Sequence, residues 1–303
     1  MTLPTQQRWP ADWPGPGPID LEAHDPPHGS SSTEWWYVNA HIETVSGLRL
    51  AVFASFFRIA TGRDATTQAV QYAHSLTWAV SDLSSERYMT CSRVDPEAPR
   101  LGLAKLDRGE GPGDQRLRRA IREVLDKGHV PWPDRLMQRP ATVGSRGLAL
   151  DFDGDRFHKD DAGNYHVQVY DHRQKLGFTL RFAPKVAACR HGDNGVVKAV
   201  HGEEMFYYFV PRCDVSGEIT LDGRRQAIGS GLGWYDHEFG HHFAVTPPPT
   251  GDNRAPTDDK RTPTAAKAGA NDANPGAKAP DIAWNWISVQ LSDGSSVTAY
   301  VLH

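Results

Sequence analysis

From Glu34 to Ile42 the chain reads E-W-W-Y-V-N-A-H-I, and this run limits what the chain can fold into more than any other. Laid out as a strand, it puts Trp36, Val38, Ala40 and Ile42 on one face and Trp35, Tyr37, Asn39 and His41 on the other. A turn at Ser46-Gly47 follows, and L-R-L-A-V-F-A-S-F-F-R-I from Leu48 to Ile59 returns as the second arm of a hairpin.

The same text recurs along the chain. Strand patterns are read at Ala73 to Val80, Ser85 to Thr90, Gly147 to Phe152, Tyr165 to Tyr170, Leu176 to Ala183, Met205 to Val210, Glu218 to Leu221 and Ala227 to Gly231, with turns such as D-A-G-N and L-D-G-R between them. One helix is signalled, from Asp114 as N-cap to Gly128 as stop, with Leu117, Ala120, Ile121, Val124 and Leu125 as its apolar stripe. Its opposite face, with Arg116, Arg118, Arg119 and Arg122, reads as a solvated surface and carries no functional weight. Many short strands without alternating helices predict an all-β, antiparallel barrel or sandwich rather than a doubly wound sheet. Nine Trp, nine Tyr and eleven Phe point to a large apolar interior, where an apolar ligand can sit.

Residues 1–18 read as an irregular, proline-rich leader over the surface, and 19–245 as the barrel domain. Residues 246–282 are Pro- and Ala-rich without an aromatic, the composition of a disordered linker. Residues 283–303 form a hairpin that either adds to the preceding sheet or begins a second barrel half cut short. The net charge of -4 gives no electrostatic reason for nucleic acid, and no apolar run is long enough for a signal peptide or a membrane span, so a soluble cytoplasmic protein without stable membrane insertion is expected. Cys91, Cys189 and Cys213 are too scattered for a disulfide framework or a cysteine zinc site.

Chemistry concentrates between Gly229 and Phe243, where four glycines, four aromatics, two acids and three histidines fall within G-S-G-L-G-W-Y-D-H-E-F-G-H-H-F. H-E-F-G-H from His237 to His241 matches the zinc-protease pattern, but that motif needs a helix, and here strand text and glycine precede it and prolines follow it. No metal and no cofactor are expected. The other reading is an acid, Asp236, desolvated among Trp234, Tyr235 and His237 and able to protonate an alkene. Against it stands a plain pairing of Asp236 with His237. Glu34, and Glu203-Glu204 before M-F-Y-Y-F, have the same ambiguity, and Arg212 reads as a structural counter-ion for one of these acids.

T-E-W-W-Y-V-N-A-H, F-Y-Y-F-V-P-R-C-D-V-S-G at 206–217, G-W-Y-D-H-E-F-G at 233–240 and W-N-W-I-S-V-Q-L-S-D-G at 284–294 resemble, in order and nearly in wording, the lipocalin-like family that includes carotenoid 1,2-hydratase and the AttH-type proteins. The resemblance covers about residues 20–245 and 283–303. It implies two lipocalin-like halves around an apolar cavity, a hydrophobic polyene or isoprenoid as ligand, and Asp236 as proton donor with Trp234, Tyr235 and His237 beside it. Glu34, Trp35, Trp36, Tyr37, Phe206, Tyr207 and Tyr208 then form the binding set, and the sequence leaves open whether Phe206 or Tyr207 faces the acid. The chemistry implied is hydration or cyclisation. Pericyclases of the same family, and a non-catalytic carrier of apolar ligands, are the alternatives.

Overall fold

The computed structural model describes residues 9–198, 204–242 and 284–302. Helix α1 (Leu21–His24) leads into strands β1 (Ser31–Thr44), β2 (Arg49–Arg63), β3 (Val70–Asp82) and β4 (Arg87–Val94), followed by α2 (Ala98–Asp107) and α3 (Gln115–Asp126). Then come β5 (Asp134–Leu136), β6 (Thr142–Val143), β7 (Ala149–Phe152), β8 (Asp155–Lys159), β9 (Tyr165–Asp171), β10 (Leu176–Pro184), β11 (Cys189–Arg190) and β12 (Val196–Lys198). Two long strands, β13 (Glu204–Leu221) and β14 (Arg224–His242), precede a last hairpin, β15 (Trp284–Gln290) and β16 (Ser296–Leu302).

Fourteen strands join in one sheet, in the order β5-β4-β3-β2-β1-β14-β13-β10-β9-β8-β7-β6, with β11 and β12 pairing to β13. Every described pairing is antiparallel except β4 with β5. The sheet curls until its two ends face each other: Phe56 of β2 meets Phe152 of β7 at 5.2 Å between ring centroids, and Trp78 of β3 meets Phe178 of β10 at 5.9 Å. Among the described residues β5 and β6 do not pair, so the expected barrel is a curled half-barrel closed by side chains.

The alternation read in β1 holds, with Trp36, Val38, Ala40 and Ile42 buried on the inner face. Two short strands expected at 205–210 and 218–221 are parts of the eighteen-residue β13. The one expected at 227–231 is the start of β14, which runs on through the dense aromatic stretch. Its glycines serve close packing: a Cβ on Gly233 would fall 2.6 Å from a Phe182 ring carbon and 2.7 Å from Val215 Cγ2.

Helices number three among the described residues, not the one expected. The sequence hid α2, which begins at a proline and carries Gly102, yet that glycine is where α3 seats: a Cβ there would lie 2.9 Å from Leu125. Leu117, expected in the apolar stripe, is 49% exposed, whereas Leu125 of the same stripe is buried against α2. Arg118 spends its guanidinium on the carbonyls of Leu106, Gly109 and Glu110, and Arg122 pairs with Asp107, which accounts for two of the arginines structurally. The leader does not merely cover the surface: Trp13 is buried edge-on against Phe206 and Phe239. No helix among the described residues is long and apolar enough to cross a membrane. The expected linker at 246–282 lies outside the described residues.

The hairpin β15–β16 forms its own two-stranded sheet rather than adding a strand to the large one. Side chains fasten it to the outer face of β13 and β14. Gln290 donates to the carbonyls of Pro211 and Gly233 at 2.6 and 2.9 Å, and Arg212 donates to those of Leu291 and Ser295. Arg212 is therefore a tether for the hairpin turn rather than the counter-ion of Glu34 or Asp236. The carbonyls at a tight turn are a natural target for a multidentate guanidinium.

Candidate active site

Period two divides β14 into two chemistries. Tyr235, His237 and Phe239 point inward, whereas Trp234, Asp236 and Glu238 point outward, toward the hairpin. There a cavity of about 210 Å³ opens between the sheet and β15–β16. Trp35 and Tyr37 of β1 and Phe53 and Phe57 of β2 form one side, Tyr207 of β13 another, and Trp286 and Tyr300 come from the hairpin. Both carboxyls, Asp236 and Glu238, line it.

Asp236 is 1% exposed, and its Oδ1 accepts two hydrogen bonds, from Trp234 Nε1 at 2.9 Å and from the Tyr207 hydroxyl at 2.8 Å. The direction of the second bond is fixed. Trp286 Nε1, which can only donate, reaches Tyr207 Oη at 2.8 Å, so the phenol oxygen accepts there and sends its one hydrogen to Asp236. Oδ2 is buried without a hydrogen-bond partner among the described residues. Burial pushes the carboxyl up to about 8, against the pull of the two donors. A neutral Asp236 thus carries its proton on Oδ2, at the cavity wall. Burial, reinforced by the charge of Asp236, also raises Glu238 well above the usual carboxylate range. Tyr37, within the same wall, holds its proton more tightly because of burial and Asp236.

The inner face carries a different network. Glu34 Oε1 lies 2.8 Å from His28 Nδ1 and 2.9 Å from His237 Nε2, while Arg58 donates to Oε2 at 2.7 Å. Burial alone would raise this carboxyl, but the two histidines and Arg58 hold it at about 2. Burial keeps His237 below the ordinary imidazole value, and its Nδ1 meets the Tyr208 hydroxyl at 2.9 Å. Tyr208 and Tyr235 reach Asp25 Oδ1 at 2.6 and 2.9 Å, and Tyr165 and Lys159 reach Oδ2 at 3.0 and 2.7 Å. His28, Glu34 and His237 are close enough to hold an ion. Their donor atoms are instead engaged with one another, and the Arg58 charge sits on the same carboxylate, which opposes a cation.

The structure therefore sorts the residues singled out from sequence by face. Asp236, Trp234, Trp35, Tyr37 and Tyr207 converge on the cavity or on the acid within it. Tyr235, His237, Glu34, Trp36, Phe206 and Tyr208 lie on the inner face, in the core or its polar network. Tyr207, not Phe206, faces the acid. Asp236 and His237 do not pair, being neighbours on a strand that point opposite ways. H-E-F-G-H lies on that strand too, where four residues span about 13 Å rather than one helical turn, so it cannot make the zinc-protease arrangement.

Glu238, Phe53, Phe57, Trp286 and Tyr300 were not read as site residues. Alternation from Asp236 gives Glu238, and the β1–β2 register, with Trp35 opposite Phe57 and Asn39 opposite Phe53, gives the phenylalanines. Nothing local announces that Trp286 and Tyr300 close the cavity.

A larger groove of about 540 Å³ lies over β8, β9 and β10, open and polar. Its buried acid, Asp155, is paired with Arg93 at 3.2 Å, and it lacks the apolar walls of the first cavity.

Residues 131–249 match a family model described as AttH-like. The match takes in Tyr207, Asp236 and Glu238, while Trp35 and Tyr37 precede it. Among solved structures, an AttH of Nitrosomonas europaea is 19% identical with a TM-score of 0.59, over 95% of this chain and 65% of that one. The chain thus spans just under two thirds of that protein's length, and the likeness establishes a shared fold. Kievitone hydratase from Nectria haematococca is 13% identical with a TM-score of 0.44, over 74% of this chain and 52% of that one. No curated protein matches. The family resemblance read from the aromatic blocks is borne out on its AttH side.

Proposed function

We propose that this chain is an enzyme that protonates an alkene of an apolar small molecule in the cavity between β14 and the hairpin. The observation that carries this reading is the setting of Asp236: buried, anchored through Oδ1, with Oδ2 unpartnered among the described residues, where burial pushes its carboxyl up to about 8. A cavity of about 210 Å³ lies below the roughly 300–1,000 Å³ usual for a whole drug-sized ligand, so it takes one end of a longer polyene or isoprenoid.

In the step itself, the O–H bond at Asp236 Oδ2 breaks as a C–H bond forms on the less substituted alkene carbon, leaving a tertiary cation. The π faces of Trp35, Tyr37 and Trp286 stabilise that cation. The carboxylate left behind is already solvated by the N–H of Trp234 and the O–H of Tyr207, so little reorganisation is needed. Capture by water gives hydration, and capture by a second alkene gives cyclisation. No oxidant or reductant is needed to balance either outcome.

The test is Asp236→Asn. Binding of an acyclic isoprenoid, followed by quenching of tryptophan fluorescence, is expected to persist while turnover is lost. Unchanged turnover would overturn the acid and favour a pericyclase that works by shape. Binding without turnover in the unmodified protein would favour a carrier.

A further inference from the structure

We propose that Glu238 is a second catalytic carboxyl, which returns the proton of the attacking water to Asp236. The proposal rests on the reading of Asp236 as the acid and assigns hydration, rather than cyclisation, as the outcome.

Glu238 is 3% exposed in the middle of a strand, and none of the described residues that line its cavity is a Lys, Arg or His. A carboxyl buried without a counter-ion is costly. The contrast with Glu34 is direct: one residue of each kind lies on either face of the same sheet, and Glu34 has Arg58 and two histidines. Two residues along one strand separate Glu238 from Asp236 by roughly 6.6–6.8 Å of backbone, with both carboxyls at the same cavity.

The proton balance closes with both groups neutral at rest. Asp236 gives its proton to the alkene and becomes the one anion in the cavity. Water attacks the cation, forming the C–O bond. The oxonium proton passes to the carbonyl oxygen of Glu238, whose own hydroxyl proton passes to Asp236. The sum is alkene plus water to alcohol, and both carboxyls are reset. The titratable groups around the pair are Tyr37 of β1, Tyr207 of β13 and Tyr300 of β16, with His191 stacked on Tyr207 at 4.9 Å. Burial holds all three phenols protonated and keeps His191 below the ordinary imidazole value, whereas it pushes Asp236 up to about 8, so the Asp236 carboxylate is the stronger base for the returning proton.

Two measurements on the full chain test this. The infrared carboxylic-acid band at pH 7 is expected to contain both groups, so Glu238→Gln and Asp236→Asn each remove part of it; a band unchanged by Glu238→Gln would mean an ionised Glu238 and would overturn the proposal without any substrate. The second uses citronellol, an acyclic isoprenoid with one trisubstituted alkene, in heavy water. Glu238→Gln is expected to keep deuterium uptake at the alkene while alcohol formation falls by about 100-fold. Hydration at the wild-type rate would remove Glu238 from the mechanism and leave Asp236 in place. Deuterium uptake that survives Asp236→Asn would instead remove the acid on which the proposal rests.

Discussion

Tyr207 stands directly across the ladder from Glu238, yet it gives its hydroxyl proton to Asp236, two residues further along, at 2.8 Å. One phenol thus touches the chemistry of both carboxyls, and Trp286 of the hairpin decides which way its hydrogen points.

Removing that hydroxyl with Tyr207→Phe takes away a donor that favours ionised Asp236. The carboxyl should therefore rise above its present value of about 8, and the alkaline fall in activity should move to higher pH by about one to two units. A pH profile of kcat checks this. A limb that moves to lower pH would show that Tyr207 does not stabilise the anion.

The same carboxyl ties stability to pH. Folded, Asp236 keeps its proton to about pH 8; unfolded, it releases it near pH 4. Between those values the unfolded chain binds fewer protons, so stability falls as pH rises, by about 1.4 kcal/mol per unit for this group. Glu238 acts in the same direction. Asp236→Asn lacks its share of the slope, and thermal melts should show its advantage over wild type growing from pH 5 to pH 8. A constant difference would mean that Asp236 is not held neutral.

Glu34 has the opposite sign. Its folded value of about 2 lies below the ordinary 4.5, so its contribution is complete above about pH 4.5 and fades as pH falls toward 2. Glu34→Gln leaves the buried Arg58 without its carboxylate, and urea unfolding should show a loss of roughly 3–5 kcal/mol. Ligand binding, measured where the variant is folded, is expected to stay within twofold of wild type.

Trp286→Ala removes both a wall of the cavity and the N–H that orients Tyr207. Binding should weaken by about 1–3 kcal/mol, read as a raised KM together with a lowered kcat. The large sheet should melt unchanged, since the hairpin is fastened to it by side chains and adds no strand.

Gly233→Ala tests the packing inside β14. With Phe182 and Val215 occupying the space a Cβ needs, the substitution should cost about 1–3 kcal/mol in a denaturant titration.

Alternation made the first hairpin and the strand content legible, because a side chain's face follows from counting by two, whereas Asp236 stood out through its aromatic neighbours and the family resemblance. The same counting on β14 separates Asp236 from Tyr235 and His237, and only grouping by sequence neighbourhood had put them together. What local text could not reveal was which face of the sheet holds the cavity. That depends on β15 and β16, distant in sequence and bound through Gln290, Arg212 and Trp286 rather than through a ladder. Helix α2 was hidden by Pro99 and Gly102: a proline suits a first helical turn, but the glycine makes sense only once α3 lies against it.

The two-faced character of β14 has a consequence for how such a chain can diversify. Replacing Trp35, Phe53 or Phe57 would reshape what enters the cavity while leaving Glu34, His237 and Asp25 undisturbed behind the sheet. Inserting or deleting one residue ahead of Asp236 would do the reverse, turning the acid into the core and an imidazole out to the ligand. Relatives of this chain should therefore differ freely in the side chains around the cavity, and keep the length of this strand.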